Sequence, residues 1–427
     1  MKNCVKLVIV ALLYIIIFKP EFIFFPASVS ITFGSLGFLF FLVFCNEWVR
    51  NNEGWLGIKP ILKAVSPFLI VAIISSVLNG GGDGFFIKYA VSVFLALFAF
   101  FTPIYLINKV YGEVSFEIVV KYIIVCNVIY LVLSVLMFLS SGLRDILLSF
   151  LRIEGGTLVA LDISEGLRLQ GFGVSFFNAG VIEGFYLILI ALCIKFEVFG
   201  RGGRKILLIC FLLFGLLGTF VSRTTLVGLL LGLLIIITYY IKTSPANIVE
   251  PISVLIVCSL IVGGIFVLNP NYFDDFSAIF KWAFEIFYNY AYTGNFETSS
   301  SNYTLRMYGI IPDNFKTWII GDALWIDKRD FTYYMGTDVG WFRMVFYFGI
   351  LGVISMCHYF YNSLKLVFEN HMGNYWGEKG KTAFRFFLLY AIILNLKGFA
   401  DVFFLSALFY FCECSNNSEC SNMDERI

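Results

Sequence analysis

Runs of about twenty consecutive apolar residues, the length needed to cross a hydrocarbon core, recur from one end of this chain to the other. No other feature restricts the fold so severely. In lipid every backbone N–H and C=O must find its partner inside the protein, and runs this continuous lack the alternation of barrel strands, so they read as helices. Composition agrees: 59% of residues are hydrophobic and 14% charged, with a mean hydropathy of +0.87, which excludes an ordinary water-soluble domain. The net charge of +1 argues against nucleic acid as a partner, and the lipid bilayer is the partner that composition names.

Spans are expected near 4–18, 22–45, 64–80, 85–107, 117–140, 172–196, 205–221, 224–241, 252–268 and 338–364, with a final apolar stretch at 384–411. That stretch carries Lys397, Gly398 and Asp401 near its middle, so it reads either as one helix with a buried ion pair or as two short helices meeting at a turn. The fold class is therefore all-α, a polytopic transmembrane helical bundle of roughly eleven or twelve spans. It divides into spans at 1–268, one large loop at 269–337, the C-terminal spans at 338–411 and a polar tail at 412–427. The chain runs Phe18-Lys19-Pro20-Glu21 straight into the second span with no small-residue cleavage site, so the first apolar run is expected to be an uncleaved helix.

Lys2, Lys6, Arg50, Lys59, Lys63, Lys109, Arg201, Arg204, Lys205, Lys242, Lys365, Lys379, Lys381 and Arg385 fall on loops of one parity, which the positive-inside bias makes cytoplasmic. The loop at Gly80 to Gly84, the segment 141–171, the turn at Ser222 and the segment 269–337 then face outward. The Gly81-Gly82-Asp83-Gly84 turn reads as a flexible hairpin, with a cation site as the other possibility. Ten cysteines are scattered, mostly within spans as small packing residues; Cys412, Cys414 and Cys420 in the tail form either a reduced cluster or a weak clip.

A loop as long as 269–337 is usually functional. Phe273, Phe276, Phe280, Phe284 and Phe287 repeat at helical steps there, which predicts a helix lying on the membrane surface. It is expected to end at the turn of residues 293–295, with helix starts following at Ser299 and Pro312 and a stop at Gly321. The block holds nineteen aromatic residues, which suit either sugar-ring stacking or the interfacial belt.

Charged residues at the outer end of a bundle are costly unless paired or used. Arg168 precedes the sixth span, Arg223 sits in a tight turn between two spans, Arg306 is in the large loop, and Arg343 lies inside the start of the following span. A guanidinium stays protonated and donates paired hydrogen bonds, which suits a diphosphate; snorkelling or pairing with a carboxylate is the ordinary alternative. Asp338 opens a span, either as an N-cap or as a general base in a partly dry pocket. Glu183, well inside the sixth span, is expected to pair with an arginine of another helix. There is no Walker loop and no His-Glu-x-x-His, and His358 and His371 both fall on the cytoplasmic half, so outer-face chemistry would run on carboxylate and guanidinium.

Four short patterns occur in order: Arg168-Leu169-Gln170-Gly171-Phe172; Ser222-Arg223-Thr224-Thr225-Leu226 with Gly228 and Gly232; Arg306 followed by Trp318 and Gly321; and Asp338-Val339-Gly340-Trp341 leading to Phe348-Gly349 and Gly352. In these, over roughly residues 165 to 355, the chain resembles the O-antigen polymerase (Wzy) family and its relative, the O-antigen ligase. Ligases usually show a histidine where this chain has Thr337-Asp338, which favours the polymerase. The resemblance implies a glycosyltransferase-C-like helical fold with one large periplasmic loop, no cofactor and no required metal. It further implies undecaprenyl-diphosphate-linked oligosaccharide as substrate at the bacterial inner membrane, and a chain-length-regulating co-polymerase as a candidate partner. Asp338 would then be the base. Arg223 and Arg306 would neutralise the leaving diphosphate with help from Arg168, while Arg343, Glu183, Trp318 and Trp341 would contribute to substrate binding. A ligase, a lipid-linked oligosaccharide flippase and a scaffold are the competing classes.

Overall fold

The computed structural model describes residues 2–51, 57–153, 168–243, 271–327, 329, 332–372 and 377–412. The expected span at 252–268, the acidic residues Glu154, Asp162 and Glu165, and Cys414 and Cys420 lie outside them. In chain order come α1 (Lys2–Phe18), α2 (Val29–Asn51), α3 (Lys59–Leu78), α4 (Phe85–Tyr111), α5 (Phe116–Leu139), α6 (Ser141–Ser149), α7 (Phe176–Lys195), α8 (Gly200–Val221) and α9 (Thr225–Thr243). The large loop contributes α10 (Asn271–Ala283), α11 (Glu285–Thr293), α12 (Ser299–Tyr308) and α13 (Phe315–Ile320), and the chain ends with α14 (Gly340–Lys365), α15 (Glu378–Leu394) and α16 (Phe403–Ser406). Among the described residues β-pairing is confined to two isolated bridges.

Seven of these helices, α2, α3, α4, α5, α7, α8 and α14, are long and apolar enough to cross a bilayer, and the chain is an all-helical, multi-pass membrane protein. Seven among the described residues is fewer than the sequence leads one to expect, because the span expected at 252–268 lies outside them, α1 and α15 have 17 residues each, α9 has an apolar core of the same short class, and the final stretch is broken. On α2, Leu36, Leu39 and Val43 are 57%, 58% and 71% exposed; apolar side chains so presented on the rim of a bundle belong against lipid.

Small residues let the helices approach. A Cβ on Gly37 would lie 2.2 Å from the Phe98 carbonyl oxygen of α4, and one on Gly228 of α9 would lie 2.1 Å from Gly184 Cα of α7. In lipid, where burial of apolar surface offers little, such backbone proximity is what holds helices together. α7 is consequently the innermost helix, buried from Ala179 to Ile194.

The 384–411 stretch is two short helical pieces separated by an unwound segment. α15 ends at Leu394 and helix resumes at Phe403. Asn395 bridges the break: its amide donates to the Ala400 carbonyl (2.9 Å) and its side-chain oxygen accepts the Ala400 N–H (3.3 Å). No ion pair joins Lys397 to Asp401. Lys397 Nζ reaches Thr224 Oγ1 (3.5 Å), whereas Asp401 accepts from the hydroxyls of Tyr359 (2.8 Å) and Tyr89.

The loops assigned to one face by the basic-residue alternation meet one another. Phe22 pairs with Leu151, Leu169 N–H bonds the Phe220 carbonyl (3.0 Å), and Arg223 pairs with Glu285 (2.7 Å). The glycine-rich turn after α3 is docked rather than a free hairpin or a cation site. Its Asp83 carboxylate accepts the N–H groups of Phe85 (2.9 Å), Trp325 (2.5 Å) and Ile326 (3.2 Å). α14 is kinked at Phe348 and Gly349 (φ 66°), and the kink lies backbone to backbone on the end of α13: a Cβ on Gly349 would sit 2.1 Å from the Ile319 carbonyl oxygen, and one on Gly321 2.3 Å from the Phe348 nitrogen. Two of the sequence patterns thus touch directly. Cys412 is buried, 3% exposed, so it belongs to the core and not to a free tail.

Gly228→Ala is expected to force α7 and α9 apart and to destabilise the solubilised protein by about 1–3 kcal/mol, the usual cost of overpacking. Gly142→Ala on α6, with nothing within 4 Å of its added Cβ, is expected to leave thermal unfolding in detergent unchanged; equal stability of the two variants would refute this account of the contact.

Candidate functional site

The end of the bundle where these loops meet carries a cluster of cations. Arg168 stands where Leu169 pairs with the end of α8, and Arg223 stands in the turn between α8 and α9, which Ser222 fixes by its N–H bond to the Gly218 carbonyl (2.8 Å). Both guanidiniums are directed to one indole. Arg223 Cζ lies 4.6 Å and Arg168 Cζ 5.7 Å from the Trp282 ring centroid, and Arg168 also covers Phe176 at 3.8 Å. Trp282 reaches them because α10 packs Phe280 on Phe220 of α8 at 5.0 Å. The helix then breaks at Phe284 (φ −109°, ψ 26°), which puts Glu285 within 2.7 Å of Arg223.

Two like charges near each other oppose protonation, and a ring face partly offsets that cost for each cation. Burial, and then the charge of Arg223, pull the pKa of Arg168 down to about 10. Burial likewise lowers Arg223, against the pull of Glu285. Lys397, held in the unwound segment, bonds Thr224 and lies within electrostatic reach of both Arg223 and Asp338. Three cations from three parts of the chain therefore converge, and among the described residues Glu285 and Asp338 are the carboxylates beside them.

Asp338 does not cap α14, whose N-cap is Val339 with no side-chain bond. Its N–H rests on the Met307 sulfur of α12 (3.4 Å), and its Oδ1 is buried with no hydrogen-bond partner among the described residues. Burial raises its pKa above the ordinary carboxylate value, while Lys397 and Arg343 pull in the other direction. A carboxylate that serves no cap, half withdrawn from water and facing cations, is equipped to accept a proton.

The other predicted residues are placed differently. Arg306 is exposed on α12; its neighbours Met307 and Tyr308 touch Asp338 and the Leu396 carbonyl (2.5 Å), but no contact among the described residues links Arg306 itself to Arg223 or Asp338. Arg343 is buried between two rings, 3.5 Å from Trp325 and 3.8 Å from Tyr333, with Nη2 donating to the Trp325 carbonyl (3.2 Å). Glu183 does not pair with an arginine. It accepts from the Asn127 amide (2.9 Å) and packs against Gly218. Trp318 donates its indole N–H to the Pro312 carbonyl (3.0 Å), and Trp341 donates to Ile392 (3.3 Å).

Trp282, Glu285 and Lys397 were not singled out as site residues by sequence reasoning. Lys397 had a usable signal, a lysine within an apolar stretch; Trp282 is one aromatic residue among many in its loop. The arrangement can bind an anion with several negative oxygens through three cations and can remove a proton through Asp338. Comparison with known protein families, curated proteins and solved structures finds no match to this chain.

Trp282→Leu removes the ring shared by both guanidiniums. It is expected to weaken binding of inorganic pyrophosphate by roughly fivefold, matching ~1 kcal/mol of cation–π support, in calorimetric titration of the purified protein. Unchanged affinity would mean that the ring does not set the guanidinium positions.

Proposed function

We propose that this protein is a polysaccharide polymerase that joins undecaprenyl-diphosphate-linked oligosaccharide repeat units at the outer face of the bacterial inner membrane. The observation that carries the reading is the convergence of Arg168 and Arg223 at Trp282, with Lys397 within electrostatic reach of Arg223, beside Asp338, which caps no helix and holds one buried carboxylate oxygen without a partner among the described residues. The resemblance of the four sequence patterns to O-antigen polymerases supports it independently. A diphosphate leaving group develops charge as the sugar–phosphate bond breaks, and cations already fixed at that point lower the barrier without reorganising.

In the proposed reaction a hydroxyl at the non-reducing end of one lipid-linked repeat attacks the anomeric carbon of the sugar on the other lipid's diphosphate. The C–O bond to phosphate breaks, the electron pair leaves with the diphosphate, and the hydroxyl proton passes to Asp338. One displacement inverts the anomeric centre. Arg306, exposed above this end on α12, is assigned to the incoming glycan rather than to the leaving group. A ligase would use the same cations, and the number of transfers separates the two.

Arg223→Ala is expected to lower the rate by on the order of a hundredfold, about 3 kcal/mol, measured as ladder formation from a synthetic diphosphate-linked repeat. A single transfer product from the wild type would make it a ligase, and no product would favour transport. Because a base works only when deprotonated, the rate is expected to fall as pH drops through the Asp338 pKa, raised above the usual carboxylate range by burial. Asp338→Asn should abolish turnover at every pH; a variant that keeps the wild-type pH profile would remove Asp338 from the mechanism.

A further inference from the structure

A second polar feature, distinct from the cation cluster, is a cavity of about 240 Å³ bounded by the end of α1, the start of α2, α4, the start of α7 and the unwound segment before α16. Its lining is mainly apolar, with Phe33, Phe100 and Leu405 on its walls, and the polar side chains on it are Lys19, Ser30, Tyr89, Asn178 and Asp401. The first turns of α2 form one wall, and Ile31 and Leu36 on that helix are 50% and 57% exposed, so this wall is the one next to lipid.

Lys19 is held there against its own preference. It adopts φ 45°, a conformation that costs a non-glycine residue free energy. The turn is clamped by the Val174 N–H on the Phe18 carbonyl (2.7 Å). The ammonium lies 5.0 Å over the Phe404 ring, and no hydrogen bond or ion pair to it occurs among the described residues. Two carboxylates lie within electrostatic reach of it, Glu21 and then Asp401, and both are engaged elsewhere: Glu21 Oε2 accepts the Val29 N–H (2.9 Å), while Asp401 Oδ2 accepts from Tyr359 (2.8 Å) and Tyr89 and its Oδ1 from the Phe403 N–H (2.8 Å). A desolvated ammonium whose carboxylate neighbours both accept from other donors and form no ion pair with it is matched by an outside anion. The apolar lining and the lipid-side wall say what that anion is attached to.

We infer that this cavity binds the phosphate of a lipid, with the phosphate on Lys19, Asn178 and Ser30 and the start of its apolar tail against Phe33 and Leu405. The site is independent of the reading of the cation cluster, although the two share a wall. Phe176 and Lys397 stand on the cluster side of that wall, and Asn178 and Asp401 on the cavity side. Occupancy would brace the unwound segment that carries Lys397.

The test is direct binding to the full-length protein, purified in neutral detergent and carrying Arg168→Gln and Arg223→Gln so that the cation cluster does not contribute. The probes are dodecyl phosphate, dodecanol and inorganic phosphate, read by native mass spectrometry. Dodecyl phosphate is expected to bind at least tenfold more tightly than dodecanol, with that advantage lost in Lys19→Gln and kept in Lys19→Arg. Ala96→Phe, which fills the cavity, is expected to abolish dodecyl phosphate binding with the lysine intact, which keeps the test valid if Lys19→Gln fails to fold. Dodecanol binding as tightly as dodecyl phosphate, binding unaffected by both substitutions, or inorganic phosphate binding as well as the amphiphile would each overturn the inference.

Discussion

Two guanidiniums held near one indole, in a place where burial makes each charge expensive, form the interaction on which the rest of this end of the molecule depends. Arg168 and Arg223 repel each other, and burial lowers the pKa of both. Trp282, Phe176 and Glu285 offset part of that cost. The arrangement stays tense because Lys397 adds a third cation. Charges inside membrane proteins are usually paired; here, among the described residues, three cations share two carboxylates, and one of those, Asp338, keeps a buried oxygen without a hydrogen bond. Under the proposed function that surplus charge is the binding energy for a diphosphate.

The unwound segment between α15 and α16 is what allows one stretch of chain to serve two places. A continuous helix would point residues 397 and 401 to the same side, one turn apart. Because Asn395 replaces the helical bonds across the break, Lys397 turns toward Thr224 and Asp401 toward Tyr89 and Tyr359. Breaks of this kind are tolerated at membrane depth only when buried in protein; α14 supplies that cover through Gly340, whose Cβ would lie 2.7 Å from Asn395 Oδ1, and α7 through Phe177, 3.1 Å from where a Cβ on Gly398 would lie.

Much of this was legible in the sequence. The apolar runs located the helices, the basic-residue alternation grouped the loops that meet, and Arg168, Arg223 and Asp338 stood out because charges at a bundle end are rare and costly. The turn at Gly294 (φ 73°) and the helix start at Ser299 were equally visible, since both are written in local residue chemistry; the structure adds the Thr298 capping box. The rest depended on contacts between distant segments. Nothing near Arg343 in the chain announces that Trp325 and Tyr333 enclose it, and nothing near Glu183 announces Asn127 from α5. Trp282 could be found only once the break at Phe284 and the packing of Phe280 on Phe220 fixed which way α10 faces.

The central claim is that Arg168 and Arg223 act together on one anion. A double-mutant cycle in which each is changed to Gln, singly and together, with affinity for farnesyl diphosphate measured on the purified protein, tests it most directly. Two cations on one diphosphate predict strong coupling, with the double variant losing far less than the product of the two single losses. Losses that simply multiply, or no loss from either substitution, would contradict the shared site.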